Sequence, residues 1–154
     1  MKFKTILFPC DFSTSETAAL EYAVELAAES DAKLLIAHVQ EPAPVYAEGN
    51  FYTGIPLPDY EVIQKTLANI RPSRPGVRYE HRLLSGDPAA AVAELARHEN
   101  ADLIVMSSHG RSGFGRLLMG SIAEGVMRAA PCPVLIVKPR CKLRSEEPAK
   151  ALAR

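Results

Sequence analysis

Between Ser107 and Ser121 the chain reads SSHGRSGFGRLLMGS. An apolar run, Leu103 to Met106, leads into this stretch, a helical pattern opens at Gly120-Ser121, and a second apolar run, Pro133 to Val137, follows. Strand, glycine loop, helix and strand in that order present backbone N–H groups to an anion, above all a phosphate. Glycine lets the backbone approach such a ligand in conformations that a Cβ would forbid. Ser121-Ile-Ala-Glu124 has capping-box spacing, which would start the helix at the loop with its dipole facing it. Arg111 and Arg116 add positive charge. The same glycines would also serve a bare tight turn, and spacing alone leaves both readings open.

Other chemistries fit poorly. Gly110, Gly113 and Gly115 give G-x-x-G-x-G, not the dinucleotide G-x-G-x-x-G, and they follow the fourth predicted strand rather than the first. No phosphate loop ending in Gly-Lys-Ser/Thr is present, and the nucleophile elbow fails because Phe114 stands where its last glycine belongs. His38, His81, His98 and His109 are dispersed without metal-ligand spacing. His109 is the sole general-base candidate beside the loop, and a lone histidine after a strand is more often structural. No catalytic residue and no protein metal site is therefore assigned.

The elements that must position the loop come next. Thr5 to Pro9 is apolar without alternation, as in a central parallel strand, and Pro9 is expected to end it. Asp11 follows, and Ser13-x-x-Glu16 predicts a capped helix to about Glu29. Lys33 to Val39 predicts the second strand. The proline-rich segment from Gln40 to Asp59 reads as an insertion or a lid. A helix over Asp59 to Ile70, with Val62, Ile63, Leu67 and Ile70 inward, precedes an edge strand at Val77 to Leu84. Asp87-Pro88 starts a third helix, and Asn100 suits the left-handed residue that ends it. Five strands alternating with four helices mean an α/β three-layer sandwich around a parallel sheet. In order 3-2-1-4-5, Asp11 and the glycine loop flank the switch point, where ligands of such sheets bind.

The 154 residues suit one domain, and 18 basic residues balance 18 acidic ones, which gives no bulk attraction to nucleic acid or anionic lipid. Cys10, Cys132 and Cys141 form neither a disulfide framework nor a zinc motif, and no run is long enough to span a membrane. A cytosolic protein with no nucleic-acid or membrane partner is expected.

Several segments resemble the universal stress protein family. They are Ile6-Leu-Phe-Pro-Cys-Asp-Phe-Ser13, Ala37-His-Val39, Ser85-Gly-Asp-Pro88, Gly110-x9-Gly120-Ser121 and Ala130-Pro-Cys-Pro-Val-Leu-Ile-Val137. The resemblance covers one domain, 1–139, and leaves a polar tail at 140–154. It implies a five-stranded Rossmann-like sheet of the adenine nucleotide alpha hydrolase-like type and a homodimer through Val134 to Val137. The family's nucleotide-binding branch carries G-x2-G-x9-G-[ST] and binds ATP. Three of those four positions are met here, and Ser107 replaces the first glycine with a hydroxyl able to donate to a phosphate.

Carried over residue by residue, the resemblance places Asp11 at the ribose and adenine, with Pro9 and the Val39 backbone around the base. It places Gly110, Gly120 and Ser121 at the phosphates, lined by Arg111, Ser112 and Gly113 and flanked by Ser107, His109 and Ile122. The implied cofactor is ATP, with Mg or Mn as the usual companion of a triphosphate. The expected function is a nucleotide-dependent stress-response or signalling module with an unnamed protein partner. A slow ATPase or nucleotidyl transferase, and a nucleotide-free dimeric interaction module, are the alternatives.

Overall fold

The computed structural model describes residues 2–42, 59–108 and 119–138. The core of the proline-rich segment, most of the glycine loop and the C-terminal tail lie outside them. Five parallel strands form one sheet: β1 (Thr5–Cys10), β2 (Lys33–Gln40), β3 (Tyr79–Ser85), β4 (Leu103–Ser107) and β5 (Val134–Val137). Their order is β3-β2-β1-β4-β5, as expected. Between them run α1 (Thr17–Ser30), α2 (Tyr60–Asn69), α3 (Pro88–His98) and α4 (Ser121–Ala129).

Period-two alternation along the central strands sends successive side chains to opposite faces. Ile6, Phe8, Leu34, Ile36 and Val105 pack with Ala23, Val24 and Leu67 of α1 and α2. Leu7, Leu35 and Ile104 pack with Val92 and Ala96 of α3 and Val126 of α4. Both faces are covered, so β1, β2 and β4 are apolar throughout their middles. Burying each large aliphatic or aromatic side chain contributes about 1.5–3 kcal/mol, which makes these three strands the rigid base of the molecule.

Three expectations need correction. Pro9 does not end β1, which runs on to Cys10 and pairs with β2 as far as Cys10–His38. The Thr5 carbonyl accepts from the Asp102 amide, so alternation aims Pro9 toward β4 as well. Pairing with β4 covers only Ile6 and Leu7, so the missing proline donor falls where the two strands have already parted. Helix α1 starts at Thr17, after a short 3-10 turn at Thr14–Glu16, and Ser13 makes no side-chain cap. Val62 is 55% exposed, because the inward stripe of α2 follows Ile63, Leu67 and Ile70 and Val62 sits one residue off it.

Other helix signals hold. The Asp87 carboxylate accepts from the Ala90 amide with Pro88 at the first helical position, and Asn100 is left-handed at φ 50. Asp59 caps α2 through the Glu61 and Val62 amides.

One close contact fixes the helix pair on the α3/α4 face. A Cβ built on Gly125 would lie 2.7 Å from the Ala89 methyl, so α4 rides against α3 through a bare backbone. Gly125→Val should therefore lower stability by about 2 kcal/mol, an overpacking cost that exceeds any helix-propensity gain. Chemical denaturation checks it. Combining Gly125→Ala with Ala89→Gly should recover most of the loss of Gly125→Ala alone.

Candidate functional site

A cavity of about 320 Å³ opens beyond the carboxyl ends of β1, β2 and β4, at the switch point of the sheet. Pro9 and Val39 supply apolar wall, and Val92 and Met106 lie deeper. Asp11 and Glu16 form an acidic side, while Ser107, Ser108 and the first turn of α4, Gly120 to Ala123, form the side opposite in chemistry. The seven expected ligand-binding residues that are described, Pro9, Asp11, Val39, Ser107, Gly120, Ser121 and Ile122, all line this one cavity. His109, Gly110, Arg111, Ser112 and Gly113 lie outside the described residues.

The α4 side is pinned to the sheet by its backbone. The Ser108 amide donates to the Val137 carbonyl (3.0 Å), and the Gly120 amide donates to the Ser108 carbonyl (2.8 Å). The expected capping box at Ser121 does not form. Gly120 is the N-cap and offers no side-chain acceptor, and Glu124 instead pairs with Arg128 one turn on. An i,i+4 Glu–Arg pair is favourable on an exposed helix face and draws the carboxylate away from the helix start. The first-turn amides of α4 are thus left without a cap from their own N-cap side chain, at the positive end of the helix dipole and at the cavity.

The acidic side departs further from expectation. Glu16 reaches past Ser13, and its Oε1 accepts from the Asp11 amide at 2.7 Å. Asp11 Oδ1 accepts from the Ser13 amide at 2.8 Å. Asp11 and Glu16 therefore close a small ring of side-chain-to-backbone bonds that takes the place of the predicted cap. The bond from the Asp11 amide brings the two acidic side chains together at the edge of the cavity. Burial first, then the Asp11 charge, pushes the Glu16 carboxyl up to about 8, so it holds its proton at neutral pH. Burial also pushes the neighbouring Cys10 thiol up, with the Glu16 and Asp11 charges adding to it, which makes that thiol inert as a nucleophile.

The turn that brings these groups together passes through Phe12 at φ 65. A left-handed non-glycine residue costs roughly 1–2 kcal/mol. Stacking of the Phe12 ring on His38, with centroids 4.1 Å apart, offsets it. His38 is buried and its Nδ1 donates to the Cys10 carbonyl at 2.8 Å, which clamps the ends of β1 and β2 side by side. Sequence reasoning missed Glu16, His38 and Cys10 as site residues. The available signals were an acid five residues after a strand-end aspartate and a histidine inside the apolar KLLIAHV run.

The chain matches the model of the universal stress protein family over residues 2–138. It belongs to that family. A universal stress protein of Methanocaldococcus jannaschii is 36% identical over 141 residues, covering 88% of this chain and 82% of that protein. One of Thermus aquaticus is 37% identical over 136 residues, covering 88% and 99%. Among solved structures, a universal stress protein in complex with cAMP superposes with a TM-score of 0.64 at 30% identity, covering 90% of this chain and 99% of that one. The five-stranded Rossmann-like architecture is thus that of the family. No helix among the described residues is long and apolar enough to cross a membrane.

Proposed function

We propose that this universal stress protein binds an adenine nucleotide, ATP in the first place, in the switch-point cavity. The observation that carries the reading is the convergence of Pro9, Asp11, Val39, Ser107, Gly120, Ser121 and Ile122 on one cavity. They are distant in sequence, and the fold brings them to one rim. The apolar wall suits a purine, the acidic side suits ribose hydroxyls, and the uncapped start of α4 suits phosphate oxygens. The relative solved with cAMP supports the adenine nucleotide class. The triphosphate assignment rests on Gly110-x9-Gly120-Ser121, with Arg111, Ser112, Gly113 and His109 as its further contacts.

Among the described residues no group of three or more His, Cys, Asp or Glu could hold a metal. A Mg or Mn ion would accordingly arrive on the phosphates, and its role would be to neutralise part of their charge. The nucleotide acts as a conformational ligand: it favours whichever state of the protein it binds more tightly, and so sets partner choice in a stress response or signalling role. In this reading the protein works in the cytosol as a homodimer through β5, whose Leu135 is 36% exposed. Calorimetry on nucleotide-stripped protein tests the core of it. ATP should bind at sub-millimolar concentration, and GTP should bind at least about tenfold more weakly, because the purine edge must be read by backbone groups beside Val39. No heat with ATP, AMP or cAMP would refute it.

A further inference from the structure

We propose that Glu16 is a positioning residue of the nucleotide site, and that its carboxyl makes ligand affinity depend on one proton shared with Asp11. This rests on the nucleotide reading above and extends it to a residue that reading does not use. Glu16 lines the cavity beside Asp11 and receives the Asp11 amide. Two bonds fix the orientation of Asp11: its amide donates to Glu16 Oε1, and its own Oδ1 accepts from the Ser13 amide. Glu16 also lines a second cavity of about 260 Å³ together with Phe8, Phe12, Leu20 and Ile70, so it stands between that apolar space and the nucleotide cavity.

The proton decides what the ligand meets. With Glu16 neutral, its O–H donates to the Asp11 carboxylate and the pair carries one negative charge. When Glu16 loses that proton to solvent, two carboxylates face each other beside a cavity meant for an anion. Repulsion then turns Asp11 away from its ligand-binding position and also opposes the phosphates. Among the described residues, the other titratable groups lining the cavity with Glu16 are Cys10 at the end of β1, Asp11 just after it, His38 of β2 and Glu41 just after β2. Ser107, Ser108 and the start of α4 contribute hydroxyls and amides, and Thr66 and Ile70 of α2 contribute nothing that titrates. The Cys10 thiol is pushed up by burial and so stays protonated.

The sign for folding follows the same proton. The Glu16 value of about 8 lies above the ordinary 4.5, so the stability attached to its proton is complete below the ordinary value and is lost as pH rises through about 8.

The test is ATP binding by calorimetry from about pH 7 to about pH 9.5, where phosphate groups with a second pKa near 6 are already ionised. Wild-type affinity should fall up to about tenfold per pH unit once Glu16 ionises. Glu16→Gln donates the same hydrogen bond but has no proton to lose, and its affinity should vary less than about twofold over that range. The thermal midpoint of Glu16→Gln should also rise relative to wild type above pH 8, with or without nucleotide. A flat wild-type profile, or an equal slope in both proteins, would overturn the proposal while leaving the nucleotide reading intact. Absence of ATP binding at pH 7 would overturn the nucleotide reading and this proposal together. A falling midpoint difference above pH 8 would contradict the shared proton itself.

Discussion

Gly120→Leu should weaken ATP binding by roughly 100-fold or more, a loss of about 2.7 kcal/mol, while the protein stays folded. The separation of the two effects comes from the backbone. Gly120 sits at φ −73 and ψ 153, an extended conformation open to any L-residue, so a side chain there introduces no torsional strain. Its amide remains bonded to the Ser108 carbonyl, and the Glu124 amide remains bonded to its own carbonyl. What changes is the space in front of the first-turn amides of α4, where an isobutyl group would stand between the helix start and a phosphate. Circular dichroism and a denaturation curve close to wild type, together with lost calorimetric heat, would bear this out. Unimpaired binding by a folded Gly120→Leu protein would move the phosphates elsewhere.

Asp11→Ala should cost about 10–100-fold in nucleotide affinity, the range expected when a charged hydrogen-bond acceptor is removed from a ligand's hydroxyls. It should also lower stability by about 1 kcal/mol, because the Ser13 amide loses its acceptor. Asp11→Asn separates the parts. Its amide oxygen can still take the Ser13 N–H, so stability should return toward wild type, while affinity stays reduced because the charge is gone. The asparagine also removes the charge that helps raise Glu16, so Glu16 should ionise at lower pH in this variant. Denaturation and calorimetry on both variants check the two halves independently.

The sheet was legible in the sequence because its strands carry their burial in their composition. TILF, LLIA and LIVM are apolar on both faces, and only a central parallel strand has use for such a run. Asp87-Pro88 and Asn100 declared the ends of α3 in the same local terms, through a side-chain acceptor and a left-handed residue. The two capping boxes were legible as spacing and wrong as structure, for a shared reason. A Ser-x-x-Glu pattern fixes where the glutamate could reach, whereas tertiary competitors decide where it goes. At Ser121 the competitor is Arg128 one turn away, and at Ser13 it is the Asp11 amide at the end of β1.

The cavity rim was legible in part: topology carries Asp11 and Ser107 to it, while Val39 and Gly120, which line it too, were expected there from the family resemblance. Glu16 and His38 were missed because each looked already employed. Glu16 was a cap and His38 a strand residue in an apolar run. Their roles depend on a left-handed turn at Phe12 that no local signal announces, because phenylalanine is an unfavourable residue for it.

The most direct test of the central claim is amide chemical-shift mapping of nitrogen-labelled, nucleotide-stripped protein titrated with ATP. The largest saturable shifts should fall on Cys10, Asp11, Ser107, Ser121 and Ile122, the amides bordering the switch-point cavity. Saturable shifts that cluster on another face of the sheet, or no shifts at millimolar ATP, would contradict it.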